Sequence, residues 1–294
     1  MSSIDQLPIK GFDNTGAICW MNSLLQAILA CIRFRNVVIA CPNTGSATLV
    51  ILKLLCRDYA TTAINGQPTY SLYSAKLLEA LAMDLRDRQP KNYRILCDGN
   101  QQSASEGFVL LLSALRSLEV NQLFFHLTMN KIYDKTTGKE LSSQKAMMNF
   151  FTVFDEQRLI NEGLETYIMK EQDMITNEDG IQCIKRSTLH YSPEIIVILL
   201  NRYVSRNGSI RLPDTFRIPY KEKDKYMSYK RKSDILHTGS LHGGHYVARV
   251  TCGIGSRYYL CNDNIVRQVP NIETTTATYM TFYEYQGLGS YLST

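Results

Sequence analysis

The spacing of hydrophobic residues changes along the chain from a helical pattern to a strand pattern. After Trp20, apolar residues recur three and four positions apart as far as Ile32, as expected for a helix with one buried face. The same spacing predicts further helices over 49–59, 72–85 and 104–118. Short runs of β-branched and aromatic residues predict strands over 195–203, 210–217, 246–250, 257–261, 265–269 and 279–285. Helices followed by strands are typical of the α+β class, which we predict for this chain.

The length of 294 residues allows one large domain or two small ones, and it is sufficient to bury a substantial hydrophobic core. Between Asn121 and Ser192 the spacing is mixed and interrupted by turns, and we interpret this segment as a β-rich arm. No apolar run approaches the length that spans a bilayer, and the first twenty residues lack the pattern of a secretory signal. We therefore expect an intracellular protein, in the cytoplasm or the nucleus, with no membrane partner.

The charge of the chain does not favour nucleic-acid binding. Lys and Arg total 32 against 27 Asp and Glu, a net charge of +5, and most basic residues are scattered. The exception is the run Lys221–Lys225 with the nearby Lys230–Lys232, which we interpret as a solvated loop. We expect no nucleic-acid partner.

The cysteines do not predict a structural metal site. None of the eight forms a C-x-x-C pair, so zinc bound by paired cysteines is not expected. Without a secretory signal, we expect free thiols, most of them buried as small hydrophobic residues.

One cysteine has the position of a nucleophile. Cys19 follows the turn-rich run Asn14–Ile18 and comes directly before the strongest predicted helix. The backbone N–H groups and the positive end of the dipole at a helix N-terminus stabilise a thiolate. A buried and inert cysteine near a helix start is the alternative, and position alone leaves it open.

A candidate base lies near the other end of the chain. Three of the five histidines fall in the segment that ends at His245, directly before strand 246–250. A hairpin that pairs Val250 with Arg257 sets His245 opposite Asn262, whose side-chain oxygen would accept a hydrogen bond from the imidazole. A thiolate, an imidazole and a side-chain acceptor together are typical of cysteine hydrolases.

Two alternatives to this arrangement remain at the level of sequence. A register slip of one residue would replace Asn262 by Asp263 as the partner of the histidine. A metal site built from His242 and His245 would have H-x-x-H spacing, but no cysteine or carboxylate lies close to them in sequence.

Several segments resemble the ubiquitin-specific proteases, a papain-like family of deubiquitinating cysteine proteases. The segment Gly11–Gln26 is similar to the cysteine box of the family, and 237–248 is similar to its histidine box. The segment Gln101–Glu106 is similar to the family's Gln-Gln-Asp-Ala-x-Glu motif. Further likeness extends over 195–203, 259–263 and 277–283, so the motifs follow the family's order from residue 11 to residue 285.

The resemblance implies a role for each residue of the candidate site. Cys19 would be the nucleophile and His245 the general base and later acid. Asn262 would orient the histidine, with Asp263 as an adjacent polar helper. Asn14 matches the oxyanion-hole residue, a side-chain amide that would stabilise the developing negative charge. The alternative for Asn14 is a turn residue beside the glycine that follows it.

The resemblance also implies a channel for the Gly-Gly tail of ubiquitin. The residues that would bind this substrate are Trp20, Gln102, Ser103, Glu106, Gly243, Gly244 and Tyr246. Alternatively, the two glycines only permit a tight turn, and Glu106 only completes a capping box begun by Ser103. Ser103 stands where the family usually has Asp, and the family's zinc-binding cysteine pairs are absent between 121 and 192.

The resemblance implies a single catalytic domain over 1–286. It would consist of a helical thumb over about 1–120, β-rich fingers over about 121–194 and a β-sheet palm over about 195–286, followed by a flexible tail over 287–294. The active site would lie between thumb and palm.

The implied reaction is hydrolysis of an isopeptide or peptide bond after the terminal glycine of ubiquitin, without cofactor or metal. Ubiquitin, polyubiquitin and ubiquitinated proteins would be the partners. A protease for a ubiquitin-like modifier, a catalytically silent ubiquitin-binding module and a cysteine transferase such as a transglutaminase are the alternatives.

Overall fold

A computed structural model describes most of the chain, namely residues 9–61, 73–154, 156–177, 180–200, 210–220, 224–240, 243–252, 257–271 and 275–290. Its helices are α1 (Cys19–Leu29), α2 (Ile32–Ala40), α3 (Ala47–Thr61), α4 (Tyr73–Leu85), α5 (Pro90–Cys97), α6 (Ala104–Leu115), α7 (Leu118–Gln122) and α8 (Glu156–Met169). Its strands are β1 (His126–Asp134), β2 (Glu140–Met148), β3 (Phe151–Val153), β4 (Lys170–Thr176), β5 (Gln182–Tyr191), β6 (Ile195–Leu200), β7 (Thr215–Pro219), β8 (Lys225–Ser240), β9 (Gly243–Cys252), β10 (Arg257–Asn262), β11 (Ile265–Val269) and β12 (Thr278–Ser290).

Helix α1 is the centre of the helical part, and all of its residues are buried. The prediction of one continuous helix as far as Ile32 is wrong. The chain bends by 92° after Leu29, and Ile32 begins α2. Among the described helices, none alone has the length and apolar composition to cross a membrane, although the bent pair α1 and α2 passes that test together.

The middle of the chain forms a four-stranded antiparallel sheet with the order β2-β1-β5-β4. Helix α8 lies between its strands in sequence, in a segment that we predicted to be β-rich. Its buried residues include Leu164, Tyr167 and Ile168, which have helical spacing. Gly163, with φ of 79°, interrupts the helix and therefore also interrupts the pattern by which a helix is recognised.

The larger sheet has the order β11-β10-β9-β8-β12-β6-β3, with β7 paired to β8. Strand β3 pairs in parallel with β6, so it belongs to this sheet although it lies within the range predicted for the fingers. The predicted strand over 210–217 is shifted, because β7 begins only at Thr215.

Strand β8 crosses the centre of this sheet and was not predicted. Its residues 230–232 were interpreted as part of a solvated loop, which is wrong. Arg231 is only 3% exposed and forms an ion pair with buried Asp234, while Lys232 lies 3.5 Å from Glu284. Acidic partners compensate these charges, which allows basic residues inside the sheet. Residues 221–223 of the basic run lie outside the described residues.

The hairpin of β9 and β10 differs from the predicted register by two residues. Val250 pairs with Tyr259 instead of Arg257. Side chains alternate between the two faces of a strand, so a shift by two residues keeps every side chain on its predicted face. His245 and Asn262 therefore remain on one face as diagonal neighbours.

The predicted flexible tail is wrong for its first four residues. Residues 287–290 belong to β12 and pair with residues 225–228 of β8. Residues 291–294 lie outside the described residues.

A continuous hydrophobic core joins α1 to the larger sheet. Helix α1 packs against β9, and Cys19, Ala248 and Val250 are buried in the same cluster. The Ser233 hydroxyl of β8 also donates a hydrogen bond of 2.7 Å to the Ala27 carbonyl of α1. The helix that begins with Cys19 is thus fixed against the strand that carries His245.

Candidate active site

Cys19 is the first residue of α1 and is 4% exposed. The preceding residue, Ile18, has no side-chain oxygen and so leaves the first turn without a side-chain cap. The Met21 N–H bonds to the Ile18 carbonyl at 2.9 Å, which leaves the N–H groups of Cys19 and Trp20 as the first-turn donors for an anion beside Cys19.

Asn14 folds the loop that precedes Cys19. Its Oδ1 accepts hydrogen bonds from the N–H groups of Gly16, at 3.3 Å, and Ile18, at 3.4 Å. Because Oδ1 accepts these bonds, the Nδ2 group points the other way and donates to Asp263 Oδ2 at 3.0 Å. Asn14 is therefore a turn residue and, at the same time, an exposed amide donor near the start of α1.

His245 Nε2 and Asn262 Oδ1 lie 2.7 Å apart. The amide oxygen of Asn262 only accepts, so the neutral imidazole carries its proton on Nε2 and its lone pair on Nδ1. Asn262 is held by a two-residue turn, since it pairs with Ile265 and the intervening Asp263 has φ of 49°.

Asp263 connects this turn to the segment around Cys19. Its Oδ1 accepts a hydrogen bond of 2.8 Å from Asn22 Nδ2, and its Oδ2 accepts the bond from Asn14. Its carbonyl also accepts the Phe12 N–H at 3.0 Å. Asn22 was not among the predicted site residues, although its place one turn after Cys19 on α1 is a signal that was available in the sequence.

Gln101 was also missed, and it contacts both halves of the candidate site. Its Nε2 lies 3.2 Å from Cys19 Sγ, and its Oε1 accepts a hydrogen bond of 2.8 Å from the Gly244 N–H. Gly244 directly precedes His245. The structure thus brings the Cys19 sulfur and the histidine-bearing strand to one side chain, while the contact between the sulfur and the imidazole ring stays a prediction.

A pocket of about 420 Å³ lies beside this arrangement. Five of the seven predicted substrate-binding residues line it, namely Gln102, Ser103, Glu106, Gly243 and Tyr246. Residues that were not predicted complete it, namely Gln101, Ser105, Thr152, Leu199, Leu200, His237, Ser240 and Tyr279. Gln101, whose Nε2 lies 3.2 Å from the Cys19 sulfur, is thus part of the pocket wall, whereas Cys19 and His245 are not.

The predicted capping box at the start of α6 does not form. Ser103 is the N-cap residue, but its hydroxyl makes no capping hydrogen bond. It lies 3.0 Å from the Tyr279 hydroxyl and 2.9 Å from the Ser105 hydroxyl. Glu106 is exposed in the first turn of α6, where it lines the pocket.

Trp20 does not lie on the surface where a substrate channel was expected. It is 1% exposed, and its ring packs directly on Gly107 of α6, where an added Cβ would lie 2.3 Å from the ring. This burial corrects the expectation that Trp20 contacts substrate, because its side chain is packed inside the core.

The two glycines of β9 differ in their surroundings. An added Cβ at Gly244 would lie 2.3 Å from the Thr238 carbonyl oxygen and 2.5 Å from His237 Nε2, so close approach of the neighbouring strand requires glycine there. An added Cβ at Gly243 would meet nothing within 4 Å. Packing within the protein therefore accounts for Gly244 but not for Gly243.

No cluster of three or more His, Cys, Asp and Glu side chains suited to a metal ion occurs in the described part of the chain. His242, one member of the alternative metal pair, lies outside the described residues.

The chain has recognisable relatives. The family model described as ubiquitin carboxyl-terminal hydrolase matches residues 10–283. Ubiquitin C-terminal hydrolase 13 of Arabidopsis thaliana is 24% identical over 290 residues, covering 87% of this chain and 25% of the relative. Probable ubiquitin carboxyl-terminal hydrolase 8 of Schizosaccharomyces pombe is 22% identical over 300 residues, covering 94% of this chain and 64% of the relative. The chain thus spans less than two thirds of the length of these two relatives.

Solved structures share the fold. The SAGA Ubp8/Sgf11/Sus1/Sgf73 DUB module bound to ubiquitin aldehyde aligns with a TM-score of 0.70 at 17% identity, covering 98% of this chain and 72% of that chain. The module bound to monoubiquitin aligns with a TM-score of 0.69 at 16% identity and the same coverage. At such identities the likeness is one of fold, and it confirms the predicted α+β fold.

Proposed function

Because the chain belongs to the ubiquitin carboxyl-terminal hydrolase family, we propose that it is a cysteine-type deubiquitinase, which hydrolyses isopeptide or peptide bonds after the C-terminal glycine of ubiquitin. The observation that carries the proposal is the 2.7 Å contact between His245 and Asn262, on a strand packed against the helix that begins with Cys19. It supports an oriented base on the strand that packs against the helix with Cys19 at its N-terminus.

In the proposed mechanism, His245 Nδ1 accepts the proton of the Cys19 thiol. The thiolate attacks the carbonyl carbon of the terminal glycine, and the oxyanion is bound by the Cys19 N–H and the Asn14 amide. His245 then donates the proton to the leaving amine, which leaves a thioester on the sulfur. Water, deprotonated by His245, hydrolyses the thioester and releases ubiquitin and the free thiol.

The proposed organisation follows from this site. The thumb over about 1–120 carries Cys19, and the palm over about 195–286 carries His245 and Asn262. The fingers over about 121–194 comprise the four-stranded sheet and α8, while β3 extends the palm sheet. Ubiquitin, polyubiquitin and ubiquitinated proteins are the proposed partners, and the cytoplasm or nucleus is the proposed location.

A protease for a ubiquitin-like modifier is the second candidate, and Ser103 favours it. The hydroxyls of Ser103, Ser105 and Tyr279 form one connected group on the pocket wall. Glu106 is the only carboxylate among the described residues that line the pocket. A pocket wall with few charges selects a modifier tail less by its basic charge and more by the hydrogen bonds that the tail can form.

Covalent labelling with ubiquitin that carries a C-terminal thiol-reactive group tests the proposed function. We expect a mass increase of one ubiquitin on the unaltered protein and none on Cys19→Ala. The same reactive group on a ubiquitin-like modifier serves as the comparison. Labelling only by the ubiquitin-like modifier would show that this modifier, and not ubiquitin, is the substrate. Labelling by neither would favour the catalytically silent binding module.

Gly243→Ala and Gly244→Ala form a matched pair that tests the channel. Gly243→Ala is expected to leave thermal unfolding unchanged and to lower ubiquitin cleavage at least tenfold, because its methyl group enters only the pocket. Gly244→Ala is expected to destabilise the protein by about 1–3 kcal/mol, because its methyl group overlaps the neighbouring strand. Unchanged cleavage by Gly243→Ala would contradict a narrow channel at this position.

A further inference from the structure

The side chain of Gln101 lies between the Cys19 sulfur and the strand that carries His245. It belongs to the loop before α6, and it is half-buried. Its two polar atoms face different partners, namely Cys19 Sγ at 3.2 Å and the Gly244 N–H at 2.8 Å. These three residues are far apart in sequence, so their meeting is a property of the fold.

The orientation of the Gln101 amide follows from its partners. The Gly244 N–H is only a donor, so the group that faces it must be the amide oxygen. The NH₂ group of Gln101 then necessarily faces the sulfur of Cys19. A sulfur that receives an N–H donor is favoured as the thiolate anion, because a hydrogen bond to a charged acceptor is stronger than one to a neutral acceptor.

We propose that Gln101 is a further catalytic residue, which donates a hydrogen bond to the Cys19 thiolate and holds the strand of His245 beside it through the Gly244 N–H. The inference rests on the proposed function, since it takes Cys19 as the nucleophile. By binding both partners with one rigid amide group, Gln101 sets the distance between nucleophile and base before substrate arrives.

A purely structural brace is the competing explanation, and Gln101→Glu separates the two. Glutamate keeps an oxygen that accepts the Gly244 N–H, but it replaces the N–H donor at the sulfur with a second oxygen that carries negative charge. Gln101→Leu removes both bonds. Gln144→Glu, at an exposed position of β2, is the matched control for the added charge.

The experiment measures the reaction of Cys19 with iodoacetamide and the hydrogen exchange of the Gly244 amide. Peptide mass spectrometry is needed for the first, since Cys97 is exposed and will react with iodoacetamide too. We expect Gln101→Glu to slow alkylation of Cys19 at least tenfold at pH 7 and to shift its pH profile upward. Gln101→Leu should also slow alkylation and should speed exchange at Gly244, whereas Gln101→Glu should keep that amide protected.

Each readout can overturn the proposal. If Gln101→Glu is alkylated at the rate of the Gln144→Glu control, Gln101 does not stabilise the Cys19 thiolate. If hydrogen exchange of the Gly244 amide is unchanged in Gln101→Leu, Gln101 does not hold the strand of His245. A thermal unfolding transition measured for each variant serves as the control that the variant is folded. Neither readout uses ubiquitin. The alkylation and exchange measurements therefore test the role of Gln101 even if the labelling experiment contradicts the proposed function.

Discussion

His245→Gln is expected to lower the rate of ubiquitin cleavage by about 10²- to 10⁴-fold, the range that a general acid and base contributes. Glutamine has a similar shape but neither accepts the proton of the thiol nor returns it to the leaving amine. We expect a decrease in kcat rather than an increase in KM, because the pocket proposed for the modifier tail is not lined by His245. Steady-state cleavage of a fluorogenic ubiquitin substrate measures the effect.

His190→Gln is the matched control for this variant. His190 lies on β5 in an exposed position, away from the residues that line the candidate site. We expect the control to keep the cleavage rate of the unaltered protein. A rate for His245→Gln within tenfold of the control would show that another group serves as the base.

Asp234→Ala is expected to destabilise the protein by about 3–5 kcal/mol, because it leaves buried arginine side chains without their carboxylate. Asp234 is fully buried on β8 and accepts hydrogen bonds from Arg231 at 2.9 Å, Arg249 at 3.0 Å and Thr281 at 2.8 Å. These partners lie on β8, β9 and β12, so one carboxylate joins three adjacent strands. A loss of this size is a large part of the usual stability of a domain.

Denaturant unfolding of Asp234→Ala and Glu140→Ala tests this expectation. Glu140 pairs with Lys131 across β1 and β2, and both side chains are about 40% exposed. We expect Glu140→Ala to cost less than about 1 kcal/mol, as is usual for an exposed ion pair. Equal losses in the two variants would show that burial adds nothing at Asp234. Because Arg249 lies on the same strand as His245, Asp234→Ala should also lower cleavage at temperatures where it remains folded.

The parts of the site that were predictable from sequence are those with a local signal. Cys19 was recognised from the helix pattern that follows it, and the family membership confirms the resemblance that supported it. His245 and Asn262 were placed on one face although the register was wrong by two residues. Alternation of side chains is insensitive to an even shift, which explains why the pairing survived the error.

The parts that were missed depend on contacts between distant segments. Gln101 has no local feature that distinguishes it from Gln102, which donates hydrogen bonds to Asp98 and to the Asn100 carbonyl in its own loop. Strand β8 was missed because its basic residues resemble a solvated loop until Asp234 and Glu284 are seen beside them. Trp20 was expected in the channel because burial behind α6 cannot be read from its neighbours in sequence.

The order of strands in the larger sheet has a consequence for protein synthesis. Strand β12 lies between β8 and β6, so the sheet that carries His245 is completed by a segment far beyond the histidine itself. Domains form during translation only when their segments have emerged. A growing polypeptide thus exposes Cys19 early, but the sheet that carries His245 and Asn262 stays incomplete until residues 278–290 have left the ribosome.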